Sequence, residues 1–447
     1  MERNKFIVTL FLILCFQEMS AQVKKWTLED CINYAVTNNI AIQRQRLQTE
    51  SAEVNFLTSK MNLLPNLNAG SEVDVRFGRS VNPQTNIITF NQNLINSYYL
   101  TSNLQLFNGF AKVNTISANK YMLMAGVESE KIVRNTLIID IMGQYYQVLY
   151  SRGLEDASKM QLDLSEKQQF RIVKMVETGK EALSKQYEIE SQLSADKLAY
   201  TVARNNASQA LTTLKQMLQL TNGADFDILM PDLNNLLIID NTFNTDSIYN
   251  IASQTLPRLK EIEFELKASK KQIAAARGNL IPSLSLNGSL SSGYIRTSSA
   301  DTTPPFISQL KLNRGEDVYL TLNIPLFNNY STARNIKLAK IKRNDTSLKL
   351  EQEKNNLYTE VENACLNYNR GKDEFAAAKA NYDFNTKSFS AVEKKFESGL
   401  VDVTEYSVAK TTLFKAETEA LRTKLQLLIR KLTIQFYSTG EYENLIN

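Results

Sequence analysis

The chain is written twice. Tyr98–Gly109 reads YYLTSNLQLFNG and Val318–Asn329 reads VYLTLNIPLFNN, with seven of twelve positions identical at an offset of 220 (318 − 98). LLPNL at Leu63–Leu67 recurs as LIPSL at Leu280–Leu284, at an offset of 217 (280 − 63). VETG at Val176–Gly179 recurs as FESG at Phe396–Gly399, again at 220. Three landmarks in one order at nearly one spacing mean a structural duplication. The unit is a helix, a strand pair with a loop, then a very long helical stretch. The first repeat is expected over positions 22–220 and the second over 245–447. An irregular linker is expected at 221–244, around Pro231.

Composition narrows the chemistry. There is no histidine in 447 residues and the formal net charge is +4. Histidine-based triads, most zinc sites and the usual neutral general base are therefore excluded, and so small a charge gives no nucleic-acid footprint. Of three cysteines, Cys15 lies in the N-terminal segment; Cys31 and Cys365 have no motif spacing and read as unpaired core residues. Arg3 and Lys5, the apolar run Phe6–Phe16 and Ser20-Ala21-Gln22 form a secretory leader, with cleavage expected after Ala21. A lipoprotein reading through Cys15 is disfavoured by Leu14, where a small residue is needed. No later stretch approaches the ~18 apolar residues of a spanning helix.

Thr27 caps a helix, with Asp30 as its acidic partner, and the pattern runs on to about Leu64, where Pro65 stops it. The counterpart is Asp246–Ile281, stopped by Pro282, with a kink expected at Pro257. After each of these prolines the period changes to two. Leu67, Ala69, Val73, Val75 and Phe77 share one face; Asn66, Asn68, Glu72, Asp74 and Arg76 share the other. Tyr98, Leu100, Leu104 and Leu106 oppose Tyr99, Thr101, Asn103 and Gln105. Leu284, Leu286, Leu290 and Tyr294 oppose Ser283, Ser285, Asn287, Ser289 and Ser291. Val318, Leu320, Leu322, Ile324 and Leu326 oppose Asp317, Tyr319, Thr321 and Asn323. The strand pairs are expected at 66–107 and 283–327, each strand of about 10–12 residues, enough to cross a bilayer at a steep tilt. Polar loops are expected at Arg79–Asn96 and Arg296–Glu316. Four strands cannot close, whereas membrane barrels need about eight or more, so spanning strands require several chains to share one barrel.

Ala111–Leu220 and Ser331–Ser438 contain no proline, and Gly179 and Gly399 are their turn points. A seven-residue ladder, Val361, Tyr368, Phe375, Tyr382, Phe389 and Phe396, predicts coiled-coil packing.

In these features the chain resembles the TolC-like outer membrane factors, and the Gly78-Arg-Ser-Val-Asn-Pro83 loop and Ser-Ala-Gln cut site resemble Bacteroidetes members. The corners LLPNL/LIPSL and LQLFNG/IPLFNN carry the resemblance, together with Phe396-Glu-Ser-Gly-Leu-Val-Asp-Val-Thr-Glu405, a helix-tip pattern followed by Ala409 and Ala416. The resemblance implies a mainly α fold with a small membrane β part. Three chains would share a 12-stranded outer-membrane β-barrel continued by a 12-helix periplasmic α-barrel. It implies a passive exit duct of a tripartite export or efflux system for small molecules or proteins, with no enzyme activity and no cofactor. A periplasmic adaptor and, through it, an ABC or proton-driven inner-membrane pump would be the partners. The adaptor protein itself is the alternative reading, opposed by the amphipathic strands and the full-length duplication. Residues carried over are Gly179, Gly399 and Leu400 for adaptor contact, Glu405 and its counterpart Lys185 for the periplasmic gate, and Pro65, Phe107, Pro282 and Phe327 for the strand–helix corners. Lys180 and Asp402 join the gate candidates by their place beside the turns.

Overall fold

The computed structural model describes residues 25–81, 86–220, 226–230, 243–297 and 303–440. The leader at 1–21 and most of the 221–244 linker lie outside them. In chain order the elements are β1 (Lys25–Trp26), α1 (Leu28–Asn38), α2 (Ile40–Met61), β2 (Asn66–Val81), β3 (Ile88–Asn108), α3 (Ala111–Glu177), α4 (Leu183–Met217) and β4 (Asp227–Ile228). Then follow α5 (Thr245–Thr255), α6 (Pro257–Gly278), β5 (Ser283–Thr297), α7 (Phe306–Leu312), β6 (Gly315–Asn323), α8 (Ser331–Glu397) and α9 (Val403–Thr439). Among the described residues no helix is long and apolar enough to cross a membrane.

The duplication extends to the backbone. The helices α3 and α8 each hold 67 residues, about 100 Å of helix at a 1.5 Å rise. Their entry corners carry two successive left-handed residues, Gly109 (φ 60°) and Phe110 (φ 62°) in one and Asn329 (φ 52°) and Tyr330 (φ 65°) in the other. Their exit turns are Gly179 (φ 71°) and Gly399 (φ 72°). Non-glycine residues rarely adopt positive φ, so the same two-residue corner at Phe110 and Tyr330 marks a constraint shared by both repeats.

The chain forms two compact units, each drawing on both repeats. One holds residues up to Gln43, then Val133–Thr255 and everything from Leu357. Its core includes Cys31, Ile138, Ile141, Leu149, Leu214 and Val361, and both Cys31 and Cys365 are buried free thiols. Burial pushes the Cys31 thiol up to about 12, so it is an inert packing residue. The linker contributes β4, which pairs in parallel with β1. The second unit holds Arg44–Ile132 and Leu256–Asn356, including an antiparallel four-stranded sheet of order β2-β3-β5-β6.

The structure corrects three sequence expectations. The first helix is not continuous to Leu64. It breaks at Asn39 (φ −66°, ψ 128°), whose side-chain oxygen accepts from Ala41 N at 2.7 Å and so starts α2. The second repeat restarts at Pro257, as expected. The strands do not share the single length that was expected: β2 has 16 residues, β3 has 21, β5 has 15 and β6 has 9. The expected loop at Arg79–Asn96 is therefore largely strand, and the loop at Arg296–Glu316 contains α7. The second pair stops at Asn323, leaving Ile324, Leu326 and Phe327 outside β6.

Candidate functional site

Two places bear on function: the sheet in one unit and the helix turns in the other. Cross-strand partners lie on the same face of a sheet. The register aligns Ala69 with Leu100 and Leu290, and Leu104 with Leu286 and Leu320. A bulge between Gln105 and Phe107 brings Phe107 opposite Leu284, which itself faces Leu322. The bulge leaves Leu106 without a pairing partner and gives Phe107 the place that alternation assigned to Leu106. One face is thus apolar across all four strands. Much of it is open: Leu67, Val73, Phe77, Val318, Leu320 and Leu322 are all exposed. So wide an exposed apolar face is foreign to a water-facing sheet.

The opposite face is polar and internally bonded. Asn103 N donates to Asn66 Oδ1 (2.7 Å), Asn103 Nδ2 to Asn287 Oδ1 (2.6 Å), and Asn287 Nδ2 to Thr321 Oγ1 (3.0 Å). At the helix end of the sheet, Pro65 and Pro282 follow tight turns and start β2 and β5. Phe107 meets Phe110 edge-on at 5.4 Å, and Phe327 is exposed. Gly109 and Gly278 touch backbone to backbone. A Cβ on Gly278 would lie 2.6 Å from the Gly109 carbonyl oxygen, so neither position has room for a side chain.

At the helix turns, both reversals have the same two bonds. Gly179 N donates to Val176 O (3.0 Å) and Lys180 N to Met175 O (2.8 Å). Gly399 N donates to Phe396 O (3.0 Å) and Leu400 N to Lys395 O (2.9 Å). This is the Schellman pattern, in which glycine at positive φ lets the last carbonyls find donors. Leu400 is 75 % exposed, an apolar residue held out at a turn. Its counterpart Lys180 is exposed and basic. Below the second turn, Phe396 stacks on Tyr406 at 4.7 Å, with Phe389, Ile172, Ile189 and Val403 completing a buried cluster. The end of the seven-residue ladder thus forms the core of the tip.

The structure brings the gate candidates together differently from a Lys185–Glu405 pair. Lys185 Nζ lies 2.9 Å from Glu188 on its own helix, and Thr404 Oγ1 donates to the same carboxylate at 2.9 Å. These hydrogen bonds raise the Lys185 pKa and lower that of Glu188. Asp402 accepts from Glu405 N at 2.9 Å and caps α9. Its counterpart Ala182 gives α4 no side-chain cap. Glu405 itself is exposed.

Sequence reasoning missed a buried polar knot above the tip. Lys410 on α9 is buried, and its Nζ donates to Ser165 Oγ (2.6 Å) on α3 and Asp196 Oδ2 (2.7 Å) on α4. Gln161 O is a third acceptor at 3.3 Å, and Gln192 Nε2 donates to Asp196 Oδ1 at 3.0 Å. Burial pushes the Lys410 pKa below the usual lysine value. The only sequence signal was a lysine amid the small residues Ala409 and Ala416 on one helix. Glu417, further along α9, is half-buried, and burial raises its pKa.

Comparison with known proteins agrees with this geometry. Residues 248–439 match the family model described as outer membrane efflux protein. The chain is 22% identical over 406 residues to the probable outer membrane lipoprotein SilC of Salmonella typhimurium, covering 86% of this chain and 80% of that protein. It is 20% identical over 339 residues to toxin and drug export protein A of Aggregatibacter actinomycetemcomitans, covering 74% and 70%. The Campylobacter jejuni CmeC outer membrane channel superposes with a TM-score of 0.79 at 14% identity, over 94% of this chain and 88% of that one. The match over residues 248–439 and the shared fold make this chain similar to the outer membrane efflux proteins.

Proposed function

We propose that this chain is the outer-membrane exit duct of a tripartite efflux system, with three copies sharing one barrel. The observation that carries this reading is the four-stranded sheet: apolar and exposed on one face, polar on the other, with β2 and β6 as open edges. Unpaired backbone at an edge is intolerable in hydrocarbon, and three copies supply twelve strands, enough to close. The helices next to the open edges support the same partner. α2 exposes Leu47, Val54, Leu57 and Met61, and α8 exposes Leu338, Ile341 and Leu348, both near a seven-residue spacing. Such stripes fit a second helix, and a neighbouring copy provides one at each edge. Twelve helices in all would continue the duct on the periplasmic side.

In this reading the apolar face meets lipid and the Asn103–Asn287–Thr321 face lines the duct. Gly179, Gly399 and exposed Leu400 form the tip that meets an adaptor. Lys180, Lys185, Asp402 and Glu405 surround the constriction. The duct works by providing a path, with the pump supplying the energy, so no residue need act on the cargo. The test is deletion and complementation. Cells lacking the protein should accumulate pump substrates, and the wild-type chain should restore export. Leu400→Asp should reach the outer membrane but fail to co-purify with the adaptor or to restore export. Full co-purification by Leu400→Asp would remove this residue from the contact.

A further inference from the structure

The two open edges of the sheet are unequal. β6 has nine residues and β2 has sixteen, so in any register β6 pairs at most nine residues of a neighbouring β2 and leaves seven. With their helix-side ends level, β6 reaches Asp74 and the stretch Val75–Val81 is left over. In the hydrocarbon layer each unsatisfied backbone group costs several kcal/mol, so something must cover it.

The helix α7 stands in the lane that β6 vacates. β6 begins at Gly315, opposite Ser291, while β5 continues to Thr297. Beyond that point Gln309 replaces a strand residue: it accepts from Ile295 N at 2.9 Å and donates to Ile295 O at 3.0 Å. Asn313 Nδ2 donates to Gly293 O at 2.8 Å. Gly293 and Ile295 are two apart, so their backbone groups point to the same side, away from β3. Ser292 Oγ donates to Leu310 O at 2.6 Å, and Phe306 packs on Tyr294 and Tyr98, all on the apolar face of the sheet. The helix is firmly seated, with Gln309 buried, yet it presents Ile307 (60 % exposed) and Leu312 (76 % exposed).

We propose that α7 of one copy covers the part of β2 in the neighbouring copy that β6 is too short to pair. Ile307 and Leu312 then pack against Val75 and Phe77 of the neighbouring copy, which are themselves exposed in the single chain. The inference rests on the shared-barrel reading above.

Disulfide trapping tests it on the full chain in the outer membrane. The pairs are Leu312→Cys with Phe77→Cys and, separately, Ile307→Cys with Val75→Cys, both in a Cys31→Ser, Cys365→Ser background. Three strand spacings separate β2 from β6 in one chain, about 14 Å, beyond the ~7 Å Cα limit for a disulfide. Any bond is therefore between copies. Mild oxidation should convert most chains of at least one pair into a reducible dimer and trimer ladder, and the single-cysteine variants should give no trimer. Absence of the ladder for both pairs, with a trimer still seen by native mass, would overturn the α7 contact and leave the shared barrel standing. Labelling of Leu312→Cys by a photoactivatable lipid probe in place of crosslinking would also overturn it. A monomeric native mass would overturn both readings.

Discussion

Replacing Lys410 by Met removes the charge from the buried knot but keeps most of the side-chain volume. The Lys410 side chain is 2% exposed and that of Asp196 13%. The variant strands Asp196 with only the Ser165 hydroxyl and Gln192 amide as donors. Breaking one partner of a buried ion pair costs about 3–5 kcal/mol. The two surviving bonds and slight exposure of Asp196 put this case near the lower end, about 3 kcal/mol. At about 2–4 °C per kcal/mol for a unit of this size, the loss is on the order of 6–12 °C in Tm. Pairing the change with Asp196→Leu should recover most of it, because an apolar pair of similar volume avoids the desolvation that the ions suffer. Thermal unfolding followed by far-ultraviolet circular dichroism in mild detergent measures both. A Lys410→Met variant with the wild-type Tm, or a double variant as unstable as the single one, would show that the buried ion pair does not contribute in this way.

Arg at Leu320, on the apolar face, should cost about 2–4 kcal/mol and reduce membrane assembly, while Arg at the adjacent Thr321 is tolerated. Equal loss at both positions, read from the outer-membrane fraction, would reject the face assignment. At the tip, Asp402→Asn with Glu405→Gln should raise single-channel conductance and shift ion selectivity. Asn keeps the helix cap that Ala would remove, so unchanged conductance in this variant would take these charges out of the gate. Glu417 has a folded-state pKa raised by burial. Its contribution is fully present below the unfolded value and is lost as pH rises through the folded one. Glu417→Gln should therefore match wild type in Tm near pH 4 and exceed it near pH 7, and a constant difference would contradict the assignment.

What the sequence disclosed was what repeats. The corners at Pro65 and Pro282, the Gly179 and Gly399 turns and the two long helices α3 and α8 could be read because each landmark occurs twice, and proline and glycine leave few conformations open. The strand faces were legible from a period of two. The break at Asn39 has no proline to announce it; it needs only an asparagine that caps the next helix. The length of β3 was hidden because its asparagines read as loop, yet Asn96 sits on the apolar face opposite Val73 and Tyr294, with its side chain bonded to Ser71 and Tyr98. Among the described residues α7 has no counterpart in the first repeat, so duplication gave no hint of it. Lys410 was invisible because its partners Ser165 and Asp196 lie 245 and 214 positions away in the chain and meet it only in the fold. The tip candidates came from the motif, but Lys185 pairs with Glu188, three residues on in its own helix, rather than with Glu405.

The central claim is that one chain supplies a third of a closed membrane barrel. Native mass measurement of the protein extracted from outer membranes in mild detergent tests it most directly. A single species of three chains is expected, with no monomer until the detergent denatures the sheet. A monodisperse, folded monomer would contradict it, because four strands with two open edges cannot stand alone in lipid.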